Sequence, residues 1–280
     1  MSAVLQSSRN TQAGWQARLA LTFSDSGSKT VLKKRERYGP LSVQRAFYPE
    51  KDVCHIYLLH PPGGVVGGDE LDINISLQEN ARALLTTPGA TKFYRSAGQT
   101  AMQSQCFNVA DHAVLEWLPQ ENIFFPGARL NSRLELNLQG NAGAAVWEIQ
   151  CLGRPVIGEV FDQGKLDNQW IIRRDGQPLM IERLRLDASR LKMSAIMHDR
   201  AVVGTFIVTG ITEALLQNVR SLMFDKADES LAITNLNDLL VVRYLGHSTE
   251  NARRLFAQVW SLLRPAVFAR EAMTPRIWNT

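Results

Sequence analysis

The sequence predicts a mainly β fold, with many short strands in stacked sheets, a β-sandwich or β-helix-like layering, and two helices toward the C-terminus. Three observations lead there. In ELDINISLQ, Leu71, Ile73, Ile75 and Leu77 alternate with Asp72, Asn74, Ser76 and Gln78, the period of a strand with one wet face. Similar runs recur from Trp15 to Arg185, separated by Ser-Gly, Gly-Pro, Pro-Gly, Gln-Gly and Asp-Gly steps that mark turns. Helical spacing begins only near residue 212.

Taken in order, the strand runs are WQARLALTF, VCHIYLLH, ELDINISLQ, ARALLTT, RLELNLQ, AAVWEIQCL, QWIIRR and PLMIERLRL. Between the first two lies KTVLKKRER, where Lys33, Lys34, Arg35 and Arg37 suit a solvated edge that discourages sheet-to-sheet pairing. In TEALLQNVRSLM, Leu215, Leu216, Val219, Leu222 and Met223 form an apolar stripe, with Thr212 as N-cap and Glu213 in the first turn. In STENARRLFAQVWSLLRP, Ala252, Leu255, Phe256, Val259, Trp260 and Leu263 repeat at helical spacing; Ser248 caps this helix and Pro265 is expected to stop it. Helices apolar on one side bury that side, so both should pack on the sheets.

At 280 residues with 45% hydrophobic and 21% charged residues the chain has the mix of a folded protein. No linker or fixed-period repeat divides it, so residues 15–280 are expected to form one β-rich unit after a flexible N-terminus, 1–14. A net charge of +4 favours acidic partners but falls short of the basic stripe expected for nucleic acid. MSAVLQSSRNTQAG lacks the features of an export signal and no apolar run reaches membrane-spanning length, so a cytoplasmic protein is expected, with no membrane partner. Cys54, Cys106 and Cys151, an odd number widely spaced, suit reduced thiols.

Chemistry is sought first in His60–Asp69, HPPGGVVGGD. Clustered glycines let backbone N–H groups approach an anion, but here Asp69 and Glu70 follow and a strand opens, where a P-loop needs Gly-Lys and a helix. A tight connection between strands is the simpler reading. The chain has only five histidines, and in VCHIYLLH the side chains of Cys54 and His60 point away from that of His55, so they do not converge on one metal. Acids are more telling. Glu182 shares strand parity with Met180, Leu184 and Leu186, and Glu148 with Ala144, Val146 and Gln150, so each acid sits on an otherwise apolar face and needs a compensating partner. Internal salt bridges, for instance to Arg154 or Arg173, are one solution and a passing cation another. An enzyme using Asp69, Glu148 and Glu182 as general acids and bases is a rival reading, with no GxSxG, HExxH or CxxC pattern beside them. The aromatic segments ENIFFPGA and RIWNT are of the kind that anchor interfaces; core burial is the stronger expectation for Phe124 and Phe125, whereas Arg276 and Trp278, so near the end, are expected to face a partner.

HPPGGVVGGD is followed by PGATKFYRS, LEWLPQENIFFPGA, CLGRPVIGE and the terminal TPRIWNT. In this order they resemble the signatures of the UreD (UreH) family of urease accessory proteins, and the likeness runs from Trp15 to Thr280. The resemblance implies a non-catalytic scaffold of stacked β-sheets with two helices, acting with UreF and the GTPase UreG on apo-urease in a dimeric hetero-oligomeric complex. It implies no tightly bound cofactor: nickel is in transit, and GTP belongs to UreG. Asp69, Glu148 and Glu182 stand at positions matching those proposed in the family to line a tunnel for the ion, with Thr91 a further lining candidate. Weak, separated carboxylates suit transit better than storage.

Overall fold

The computed structural model describes residues 14–222 and 229–279. Along the chain come β1 (Gln16–Asp25), β2 (Thr30–Tyr38), β3 (Ser42–Val43), β4 (Cys54–Leu59), β5 (Glu70–Leu77) and β6 (Arg82–Thr86). Next are β7 (Thr91–Phe93), β8 (Ala101–Val109), β9 (Val114–Trp117), β10 (Asn122–Phe124), β11 (Arg129–Leu138) and β12 (Gly143–Arg154). Then follow β13 (Glu159–Val160), β14 (Lys165–Arg174), β15 (Gln177–Leu186), α1 (Ala188–Leu191), β16 (Val202–Thr209) and α2 (Glu213–Arg220). The chain closes with β17 (Ser230–Leu236), β18 (Leu239–Gly246) and α3 (Thr249–Phe268), and a 3-10 turn at Arg276–Asn279.

One sheet has the order β15-β14-β11-β8-β5-β1-β2, and the other runs β17-β18-β16-β12-β9-β6-β4-β3. Between β5 and β14 the chain crosses repeatedly from one sheet to the other, so β5, β8, β11 and β14 are parallel neighbours in the first and β6, β9 and β12 in the second. This is the predicted β-helix-like layering. Its first-sheet strands start at residues 70, 101, 129 and 165, intervals too unequal to leave a sequence repeat. The basic β2 is a terminal strand, exposed from Lys33 to Tyr38.

Two apolar layers result. Leu71, Ile73, Ile75 and Leu77 meet Ala83, Leu85, Ala144 and Val146 between the sheets. Trp147, Ile149, Phe206 and Val242, on the outer face of the second sheet, are covered by Leu255, Phe256, Val259 and Trp260 of α3. Strand β12 is therefore buried on both faces, which its near-continuous apolar sequence anticipates.

Thr212 caps α2 by accepting from Leu215 N, and Ser248 caps α3 by accepting from Asn251 N, both as expected; Met223 lies outside the described residues. Two expectations are corrected. Pro265 does not stop α3, which runs on to Phe268 and ends at Ala269 with φ 54°. Phe268 is buried and its carbonyl accepts from Arg82 Nη1 at 2.9 Å, contacts that reward the extra turn against proline's missing N–H. Trp278 does not face outward: it is 7% exposed, packs tilted against Trp147 and edge-on to Trp260 with ring centroids 5.2 and 5.9 Å away, and donates through Nε1 to Thr86 Oγ1 at 2.9 Å. The terminus docks because this ring completes the layer under α3, so deleting Arg276–Thr280 strips core packing. Arg276 stays exposed. Phe124 is buried, and Phe125 is half-buried beneath the Arg154 guanidinium.

Candidate functional site

The glycine-rich turn forms one wall of a partly open chamber of about 260 Å³, lined by His60, Gly63, Gly64, Thr91, Lys92, Gln105 and Glu148 among others. Its glycines answer steric needs. A Cβ on Gly64 would stand 2.8 Å from the Lys92 carbonyl, and Gly68 has φ 94°. Asp69 is a brace for this turn: it is buried and accepts from Trp15 N and Val66 N, both at 2.9 Å. Burial holds the His60 imidazole below its usual pKa, with Asp69 pulling the other way. Asp69→Ala removes acceptors from two backbone donors and should cost about 2 kcal/mol in denaturant unfolding; a change below about 0.5 kcal/mol would show that the brace is dispensable.

From the chamber a polar seam crosses the interlayer perpendicular to the strands. On the first sheet, register places Ile73, Gln105, Leu134, Trp170 and Glu182 in one row. On the second, Glu148, Thr205 and Arg243 form the facing row. Glu148 is 3% exposed and joins the two. It accepts from Gln105 Nε2 (2.8 Å), Trp170 Nε1 (2.9 Å), Asn168 Nδ2 (3.0 Å) and Gln150 Nε2 (3.3 Å). Burial raises its pKa even against these four donors.

Beyond Glu148 the seam narrows to a cell of about 20 Å³ bounded by Gln150, Asn168, Trp170, Glu182, Leu184, Val203 and Thr205. That is room for about one water molecule. Gln150 Oε1 and Asn168 Oδ1 are buried here with no hydrogen-bond partner. Unpaired acceptors beside a buried acid are oxygen donors to whatever cation or water enters. Glu182, on the far side of this cell, is half-buried and paired with Arg243.

Glu148 thus lines both spaces, with Thr91 on the chamber and Glu182 on the cell, and Asp69 stands outside both linings. Arg154 and Arg173, the salt-bridge partners considered above, pair instead with Glu159 and Glu135. Gln105, Asn168 and Arg243 escaped sequence reasoning, although each shares parity with apolar residues in the way Glu182 does. Among the described residues no group of three His, Cys, Asp or Glu side chains gathers as a metal site.

The geometry defines a class: a layered β protein with a polar seam between its sheets. The family model for the UreD urease accessory protein matches residues 16–279. A urease accessory protein UreD of Alcanivorax borkumensis is 50% identical, with 95% of this chain and 93% of the relative covered. Those of Citrobacter koseri and Klebsiella aerogenes are 46% and 45% identical over 95% of this chain, with 92% and 97% of the relatives covered. The chain belongs to the UreD urease accessory family, which gives it a role in urease maturation.

Proposed function

We propose that this chain serves urease maturation as a scaffold, without catalysis of its own, that holds apo-urease together with UreF and UreG and gives nickel an interior path. The ion is cargo: it enters the chamber near Thr91, passes Glu148 and leaves past Glu182. Supporting this are two spaces in the interlayer that share Glu148 in their walls, with Thr91 lining the first and Glu182 the second. Oxygen donors bind a borderline ion such as Ni²⁺ loosely, which suits passage. The chamber can hold a hydrated ion, whereas the cell cannot, so water must be shed between them; Glu148 and the unpaired oxygens of Gln150 and Asn168 stand where it is lost.

In this reading no cofactor stays bound, and GTP belongs to UreG. The complex is a dimeric hetero-oligomer in the cytoplasm, without nucleic acid or membrane partners. Among the described residues no helix is long and apolar enough to cross a membrane. Co-expression with the urease subunits, UreF and UreG tests the proposal. Urease activation and co-purification of the complex should both depend on this chain, and active, nickel-replete urease in its absence would refute the reading.

A further inference from the structure

Glu182 is not free to receive a cation. Arg243 reaches across the interlayer from β18 and holds it, and the two side chains are 39% and 33% exposed. The pair therefore stands where the seam meets solvent. Register explains the placement: only the exposed Ala232 of the edge strand β17 lies beyond Arg243 in the Glu148-Thr205-Arg243 row, and Glu182 ends the Gln105-Leu134-Trp170-Glu182 row facing it. The guanidinium projects from the strand face that otherwise carries Leu239, Val241 and Leu245, a position at which an apolar side chain would have extended the core.

A divalent cation that leaves the cell past Glu182 thus meets the positive charge paired with that acid. Like charges brought together at the edge of a protein interior repel strongly even with partial screening. The bar can be lifted. A partly exposed arginine on a long flexible side chain leaves a half-buried carboxylate at modest cost when another carboxylate competes for it. Planar, bidentate recognition makes an acidic side chain the fitting competitor.

Resting on the interior path proposed above, we infer that Arg243 gates its outlet: paired with Glu182 it bars the cation, and a carboxylate of docked apo-urease draws it aside. Transit is then coupled to docking, and the ion does not leak from an unoccupied complex.

The test uses the full chain in complex with UreF and UreG, loaded with nickel and GTP, with no urease present. Release is followed with a colorimetric nickel chelator. Arg243→Gln should release nickel faster than wild type, on the order of ten-fold, because the barring charge is gone. Arg243→Lys, which keeps the charge, should stay near the wild-type rate, a difference that loss of packing alone would not produce. If Arg243→Gln fails to assemble, Arg243→Met carries the same expectation. Wild-type release from the neutral variant, while Glu148→Gln still slows delivery to apo-urease, overturns the gate and leaves the path standing. Unchanged delivery by Glu148→Gln overturns the path and the gate with it.

Discussion

Arg264→Met is expected to destabilise the fold by about 3–5 kcal/mol, the range for breaking a buried ion pair by removing one partner. Arg264 lies on α3 with its side chain 1% exposed, wedged between Glu116 of β9 and Glu50 at 4% and 8%. It donates to Glu50 at 2.6 and 2.8 Å and to Glu116 at 2.9 Å. Trp260 Nε1 donates to Glu116 Oε1 at 2.6 Å, and His55 Nε2 lies 2.6 Å from Glu50 Oε1. Without the guanidinium two carboxylates stay buried without the cation between them, and α3 loses its ionic fastening to the sheet. A chain of this size should then melt roughly ten degrees lower. Adding Glu116→Gln should recover part of the loss, since one uncompensated charge goes while Trp260 keeps an oxygen acceptor. A fall of less than about 1 kcal/mol for Arg264→Met would show that packing alone holds the helix.

The same network sets an acid limit. Burial works against the charge on Glu50, but hydrogen bonds from His55 and Arg264 outweigh it and hold the carboxyl below its ordinary value of 4.5. A carboxyl lowered on folding adds stability above its unfolded pKa and loses that share as pH falls through the folded one. Wild-type stability should therefore drop as pH falls below about 4.5, and this contribution should shrink in Arg264→Met, where Glu50 is relieved of its partner.

Much of this was legible in residue order. Period-two alternation located β5 and its inner face, and capping residues located the starts of α2 and α3, because both signals are local. The layering too was readable in kind, since many short runs with turn pairs leave few alternatives. What local pattern could not supply was register. Glu148, Glu182, Gln105, Asn168 and Arg243 each register as a polar residue on an apolar face, but only the alignment of β12 with β16 and β18, against β8, β11, β14 and β15, brings them into one seam. Pro265 and Trp278 misled for the opposite reason. Their local signals, a helix breaker and a chain end, were overridden by tertiary burial of Phe268 and of the indole itself. Arg264 carried no local signal at all, for it sits inside an ordinary amphipathic helix and its two acids lie more than a hundred residues away.

Glu148→Gln is expected to leave folding and assembly intact while cutting nickel delivery to apo-urease on the order of ten-fold, the scale of losing a unit charge at a partly screened interior site. Folding should tolerate it because the site can be rewired. Four donors now aim at the carboxylate, and a side-chain amide in its place has one oxygen for them and an NH2 group that needs acceptors. Gln150 Oε1 and Asn168 Oδ1, both unpartnered beside it, can take those hydrogens. A stability change within about 1 kcal/mol is therefore expected. The cation loses more, because Glu148 is the carboxylate that lines both the chamber and the cell, and the neutral oxygens left there cannot offset the water shed on entering so small a space. Nickel per urease active site, measured by elemental analysis after activation at limiting nickel, reads this directly. Asp69→Asn serves as the contrast: it disturbs the turn that walls the chamber, so its effect on nickel should follow its effect on stability, whereas for Glu148→Gln the two should separate. Full nickel occupancy at wild-type rate in Glu148→Gln would mean that the ion does not pass this carboxylate.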